Sequence, residues 1–136
     1  MSIKNWKEFY FFKWGKLSKA KPEDMECYKL CGHIRGAILK DRFNGVFFHV
    51  ENELNKTPTA SYGLLKKLTG KIKGAPDYVF SRAGRTIYIE MKSKVGSQHE
   101  SQKVFESWCV EMNVPYYLCF GCDEAVAVLR REGFLE

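Results

Sequence analysis

Gly74-Ala75-Pro76-Asp77-Tyr78-Val79-Phe80, then Ser81-Arg82-Ala83-Gly84-Arg85-Thr86, then Ile87-Tyr88-Ile89-Glu90-Met91-Lys92, is the stretch on which the reading of this chain turns. Tyr78-Val79-Phe80 and Thr86 to Met91 are rich in strand formers, and Arg82-Ala83-Gly84-Arg85 between them is a turn signal. An even-numbered turn closed by Ser81 and Thr86 fixes the antiparallel register, because paired residue numbers then keep a constant sum. Asp77 falls opposite Glu90. Directly opposed residues have Cβ atoms roughly 4.5–5.5 Å apart, so two carboxylates there repel unless a positive charge lies between them. A hard divalent cation bound through oxygen is the natural candidate. Glu90 and Lys92, two apart on a strand, point to the same face and bring an ammonium beside that position, while Ile87, Ile89 and Met91 face the other way. Two acids and a lysine on one face suit phosphodiester chemistry.

The rest of the composition bounds the setting. A chain of 136 residues with 45% hydrophobic content can bury one ordinary core, so a single compact domain is expected. The net charge of +6 is concentrated in two blocks. Residues 1–21 carry six lysines against Glu8, interleaved with Trp6, Phe9, Tyr10, Phe11, Phe12 and Trp14. Residues 54–76 carry Lys56, Lys66, Lys67, Lys71 and Lys73 with no acid. Clustered lysine suits a polyanion such as nucleic acid, although a solvated surface has the same composition. Five cysteines, an odd number, and an apolar run of only Phe9 to Phe12 near the start predict no secretory leader, no membrane span and a reducing, cytoplasmic setting with free thiols.

Pro22, Glu23 and Asp24 read as a helix start, with Cys27, Leu30, Cys31, Ile34, Ala37 and Ile38 recurring at helical spacing to about Lys40. Asn44-Gly45 marks a turn before a strand at Val46 to Val50, and residues 59–69 predict a short helix interrupted by Gly63. After the hairpin, a helix from about Gln98 to Met112 is expected to bury Phe105, Trp108, Cys109 and Met112. Gln102 leans toward the same core, where its amide needs a partner. Pro115 opens a strand at Tyr116 to Phe120, and a last helix runs from Glu124 to Arg131. This interleaved order predicts an α/β fold, a mixed sheet of about four strands flanked by helices, with a right-handed parallel crossover from Glu90 to Phe120. The expected organisation is a basic aromatic arm at residues 1–21 and one domain at residues 22–136.

Gly74, Pro76, Asp77, Glu90, Lys92, Gly96 and Gln102 form the pattern Gly-x-Pro-Asp, Glu-x-Lys-x-x-x-Gly and a following Gln. That set resembles the PD-(D/E)XK nucleases, most closely their VRR-NUC branch, the virus-type replication-repair nucleases. The resemblance covers roughly residues 22–135. Phe48-His49-Val50-Glu51-Asn52-Glu53 is similar to the family's His-x-Pro-Asn segment, with Glu51 where the family has proline. The resemblance implies a restriction-endonuclease-like fold and Mg²⁺- or Mn²⁺-dependent hydrolysis of DNA. It assigns catalysis to Asp77, Glu90, Lys92 and Gln102. The metal would be held by Asp77, Glu90, the backbone carbonyl of Met91 and one acid from the first helix, for which Glu26, which better fits the family's spacing to the first strand, is favoured over Glu23, which lies nearer the centre of the apolar stripe. Lys66, Lys67, Lys71, Lys73 and Lys94 would grip flanking phosphates. Small stand-alone members imply a homodimer acting on branched DNA such as four-way (Holliday) junctions, with flap cutting or nicking as the nearest alternative. The family also allows a virus-encoded protein acting inside its host cell.

Two other readings compete. The acids could be structural in a nucleic-acid-binding protein without turnover. Cys27 and Cys31 with Cys119 and Cys122 could supply four thiolates to zinc, although their positions on a helix stripe and in an apolar strand suit core thiols better.

Overall fold

The computed structural model describes residues 19–51 and 60–136. Most of the basic aromatic arm, and Asn52, Glu53 and Lys56, lie outside the described residues. The elements are α1 (Pro22–Leu39), β1 (Val46–His49), α2 (Ala60–Leu68), β2 (Tyr78–Arg82), β3 (Arg85–Lys92), α3 (Glu100–Glu111), β4 (Tyr116–Phe120) and α4 (Cys122–Arg131). The fold is α/β, with a mixed four-stranded sheet in the order β1-β2-β3-β4 and helices on its flanks. None of the described helices is long and apolar enough to cross a membrane.

The contacts divide the chain into two compact units. One comprises Met1–Gly45, Met91–Gly96 and Cys119–Glu136; the other comprises Val46–Glu90 and Ser97–Leu118. β3 and β4 each contribute residues to both units.

In the second unit β1 pairs antiparallel with β2, and β2 with β3. The β2–β3 hairpin closes through Ala83-Gly84, with Arg82 opposite Arg85 and Ser81 opposite Thr86. Both loop residues have positive φ, 46° and 77°, the signature of the tight turn whose twist matches a two-stranded ribbon. Phe47, Phe80 and Ile87, and likewise Tyr78 and Ile89, lie in register on one face and are buried. Phe47 stacks on Phe80 with ring centroids 5.4 Å apart. Register and hydrophobic pattern therefore specify each other, since a slip of one residue would turn every one of these side chains to the opposite face.

In the first unit α1 packs against α4. The buried stripe of α1 is Glu26, Leu30, Ile34 and Ile38, so Cys27 and Cys31, expected on that stripe, are only half-buried at its margin. An antiparallel bridge between Phe43 and Leu135 and stacking of Phe43 on Phe134, centroids 6.5 Å apart, tie the end of the chain to the segment after α1. The Tyr88 N–H donates to Pro115 O at 3.0 Å, and further along the Gly121 N–H donates to Lys92 O at 2.8 Å. Contacts that advance together along both strands make β4 parallel to β3.

Helix α3 departs from expectation in two ways. It begins at Glu100 rather than near Gln98, and Trp108 and Met112, expected in the core, are 50% and 74% exposed. The physical reason is a polar anchor. Burial of Gln102 and Cys109 rotates the helix so that the Val104, Trp108 and Met112 stripe faces out.

Ala83 carries a Cβ where asparagine or glycine fits better. Ala83→Asn should therefore stabilise the protein by roughly 0.5–1 kcal/mol, read as a higher urea midpoint at unchanged slope.

Candidate functional site

The hairpin register sets the first pair of site residues. Tyr78 pairs with Ile89, so Asp77, one residue earlier, stands opposite Glu90, one residue later. The Val50 N–H donates to Asp77 O at 2.7 Å, which continues the β1–β2 ladder to the base of this carboxylate. Glu90 is 1% exposed and Lys92 2% exposed, so neither sits on a solvated hairpin face. Charged groups this deep are rare unless paired. Met91 between them buries its side chain on the opposite face.

Gln102 supplies one compensation for the buried carboxylate. Its Nε2 donates to Glu90 Oε1 at 2.7 Å, while its Oε1 accepts the His99 backbone N–H at 2.8 Å. Both ends of the amide are engaged, so its orientation is fixed. The same contact occupies a free N–H at the start of α3, which explains why the helix begins where it does.

Gly74 brings the loop ahead of Asp77 onto this helix start. Its φ is +90°, and a Cβ there would overlap the Ser101 carbonyl and lie 2.9 Å from the Gln102 nitrogen. The glycine of the Gly-x-Pro-Asp pattern is thus a position where backbone meets backbone.

In the first unit, Glu23 and Lys92 form an ion pair at 3.6 Å. In the second unit a carboxylate oxygen of Asp77 and one of Glu90 lie within 4.8 Å of each other. At that separation and an effective dielectric constant near 20, two like charges repel by roughly 3 kcal/mol. An all-oxygen donor set suits Mg²⁺ or Mn²⁺ rather than a thiophilic ion.

Glu26 does different work. Its Oε1 accepts the Cys122 backbone N–H at 2.8 Å, and its Oε2 accepts from Lys29 Nζ at 3.1 Å. It caps the N-terminus of α4 from another helix, where the helix dipole favours an anion. The Cys122 N–H holds the Glu26 carboxyl below the ordinary value of 4.5 against the opposing effect of burial, with Lys29 assisting. Gly121, φ +94°, leaves room for this contact, since a Cβ would lie 3.3 Å from Glu26 Oε1.

Among the other predicted residues, Lys67, Lys73 and Lys94 are exposed, and Lys66 and Lys71 are half-buried. Lys66 and Lys67 form the last turn of α2. His49 is exposed and packs on Tyr78, centroids 4.9 Å apart. Tyr116 is a residue that sequence reasoning did not single out. Burial and the negative charge of Glu90 both raise its phenol, which stays protonated as a neutral neighbour of the site. The cysteines form no metal-binding cluster among the described residues. Burial pushes the Cys119 thiol up to about 12 and raises Cys31, Cys109 and Cys122 as well, so these remain thiols.

No protein-family model, curated protein or solved structure matches the chain.

Two outcomes follow from this geometry. Gly74→Ala should destabilise the protein by roughly 2 kcal/mol or more through the clash with Ser101 and the left-handed backbone, measured as a lowered thermal midpoint. Glu26→Gln should lose roughly 1–2 kcal/mol at pH 7. Because the folded carboxyl titrates below 4.5, the stabilisation from Glu26 is present above that pH and is lost as pH falls through the lowered folded value. The gap between wild type and Glu26→Gln, measured by urea unfolding at each pH, should close toward acid.

Proposed function

We propose that this chain is a divalent-metal-dependent endonuclease that hydrolyses phosphodiester bonds in DNA. The observation that carries the reading is the opposition of Asp77 and Glu90 across adjacent strands, with Glu90 buried and held by the Gln102 amide. Lys92 follows two residues later on the same strand face, also buried. A solvated pair of surface acids would need neither the burial nor the amide.

Asp77 and Glu90, with the Met91 carbonyl and one acid of the first helix, Glu26 or Glu23, would hold Mg²⁺ or Mn²⁺. When bound, such an ion supplies Lewis acidity toward the phosphate and lowers the pKa of an attacking water. The protein's own groups do the rest. Gln102 fixes one carboxylate oxygen of Glu90 through its amide N–H. Lys92, whose ammonium is held by Glu23, offers a fixed positive charge to the phosphoryl oxygens as negative charge grows on them. Lys66, Lys67, Lys71, Lys73 and Lys94 bind flanking phosphates without reading sequence. Resemblance to the VRR-NUC branch adds the substrate: branched DNA such as a four-way junction, cut by a homodimer whose two-fold symmetry presents paired sites.

The test is cleavage of labelled four-way-junction and linear DNA in Mg²⁺, Mn²⁺ or EDTA. Wild type should cut only with metal. Asp77→Asn and Lys92→Ala should each lower the rate by at least about 10²-fold while DNA affinity in EDTA stays within about threefold. Binding with no metal-dependent cutting under any condition would make the chain a DNA-binding protein with structural acids. Cutting unchanged in both variants would remove the site.

A further inference from the structure

A second cluster of charge lies on the first unit, lower down α1. Gly32, Gly36 and Ala37 floor an open trough of about 360 Å³, and His33, Lys40, Arg42 and Arg130 stand around it together with Leu135 and Glu136. Lys40, Arg42 and Arg130 are exposed, and none makes an ion pair among the described residues. Their positions are set by backbone: the Arg42 N–H returns to Ala37 O at 2.8 Å, and the Glu136 N–H donates to Arg42 O at 3.3 Å, which holds Arg42 against the chain segment that follows α4. Among the lining residues the opposing charge is the Glu136 carboxylate, and the carbonyl ends of α1 and α4 add about half a unit each; Asp41 stands between Lys40 and Arg42 in sequence but does not line the trough. Three cations exceed the charge that the lining sets against them.

The floor gives independent information. Glycine inside a helix is disfavoured relative to alanine. A Cβ at Gly32 or Gly36 would meet nothing within 4 Å, so packing inside the protein does not require these glycines. Their bareness serves whatever comes from outside.

We propose that this trough binds the sugar–phosphate backbone of nucleic acid, as a second phosphate contact distinct from the acidic site. Gly36 lies 13 residues beyond Glu23 on the same helix, about 20 Å along its axis. The phosphates held at the two places are therefore different ones. The chemistry favours a polyanion over a caged free phosphate. Both helices present carbonyl ends rather than N–H donors, and long exposed side chains on an open rim suit several weak contacts along a strand. A floor without side chains lets the backbone ride close. The inference rests on the DNA-acting reading above and extends it to a place where the DNA is gripped but not cut.

The experiment is fluorescence anisotropy with labelled duplex and four-way-junction DNA in EDTA, which separates binding from cleavage. Gly36→Leu fills the trough without changing charge and raises helix propensity, so it should fold at least as stably as wild type and bind at least about threefold more weakly. Arg42→Glu with Arg130→Glu should weaken binding about tenfold or more and lower the slope of log K against log salt by about 2. Arg85→Glu with Lys103→Glu matches the change in net charge at exposed residues that do not line the trough and should cost much less. Equal losses in the two charge-reversed proteins, wild-type affinity in Gly36→Leu, or displacement of DNA by inorganic phosphate at constant ionic strength would each overturn the proposal. Failure of wild type to bind DNA at all would remove the nuclease reading as well, whereas wild-type binding with unaffected variants removes the trough alone.

Discussion

The hydrogen bond from Gln102 Nε2 to Glu90 Oε1, 2.7 Å long and buried, is the contact on which the arrangement of the candidate site depends. A carboxylate at 1% exposure loses nearly all of its hydration, and that loss is large unless fixed donors replace water. Gln102 does so while its other end accepts the His99 N–H, so one amide joins the carboxylate to the start of α3. The consequence reaches through the helix. With Gln102 turned in, Cys109 follows it into the core, and Val104, Trp108 and Met112 are left outside. A polar requirement has outranked an apolar stripe, in keeping with the high cost of an unsatisfied buried charge relative to an exposed aromatic ring.

The two acids of α1 separate along similar lines. Glu23 and Glu26 are three residues apart and share a helix side, yet they meet different fields. Glu26 is fixed by the N–H groups at the head of α4 and by Lys29, a place where negative charge is welcome without any metal. Glu23 meets the buried ammonium of Lys92. One acid caps a helix; the other is the partner of a buried cation. This contrast, more than the count of acids, distinguishes a structural carboxylate from a candidate ligand.

Much of the architecture was legible because it is written in local pattern. The even-numbered turn at Ala83-Gly84 fixes the register that opposes Asp77 and Glu90, and alternation along Ile87, Ile89 and Met91 assigns the faces without tertiary knowledge. The order of helices and strands followed from periodicity, including the short helix over Ala60–Leu68 despite Gly63. What periodicity cannot carry is a partner distant in sequence. The N–H that claims Glu26 belongs to Cys122, 96 residues away, so the capping role of this acid has no signal in the sequence around it. Trp108 and Met112 were misplaced for the same reason: hydrophobicity places them in the core, and only knowledge of the Gln102 partner rotates the helix. Gly74 is an intermediate case. It stood out as part of a pattern, but the reason for it, contact with the backbone of Ser101 and Gln102, exists only once α3 is in place.

Stability and the candidate chemistry also pull against each other in this sheet. On one face of β2 and β3, Tyr78, Phe80, Ile87 and Ile89 gain free energy by leaving water, at roughly 25 cal/mol for each Å² of apolar surface. On the other face Asp77 and Glu90 are held together at a cost. The two faces are one backbone apart, and their registers cannot be changed separately. Any slip that relieved the carboxylates would expose Phe80 and Ile87, so the apolar face keeps the acidic face in a geometry that charges alone would not adopt. The hairpin turn, the aromatic ladder and the Gln102 amide act on that single register from three directions. Their agreement is what keeps two like charges opposite each other.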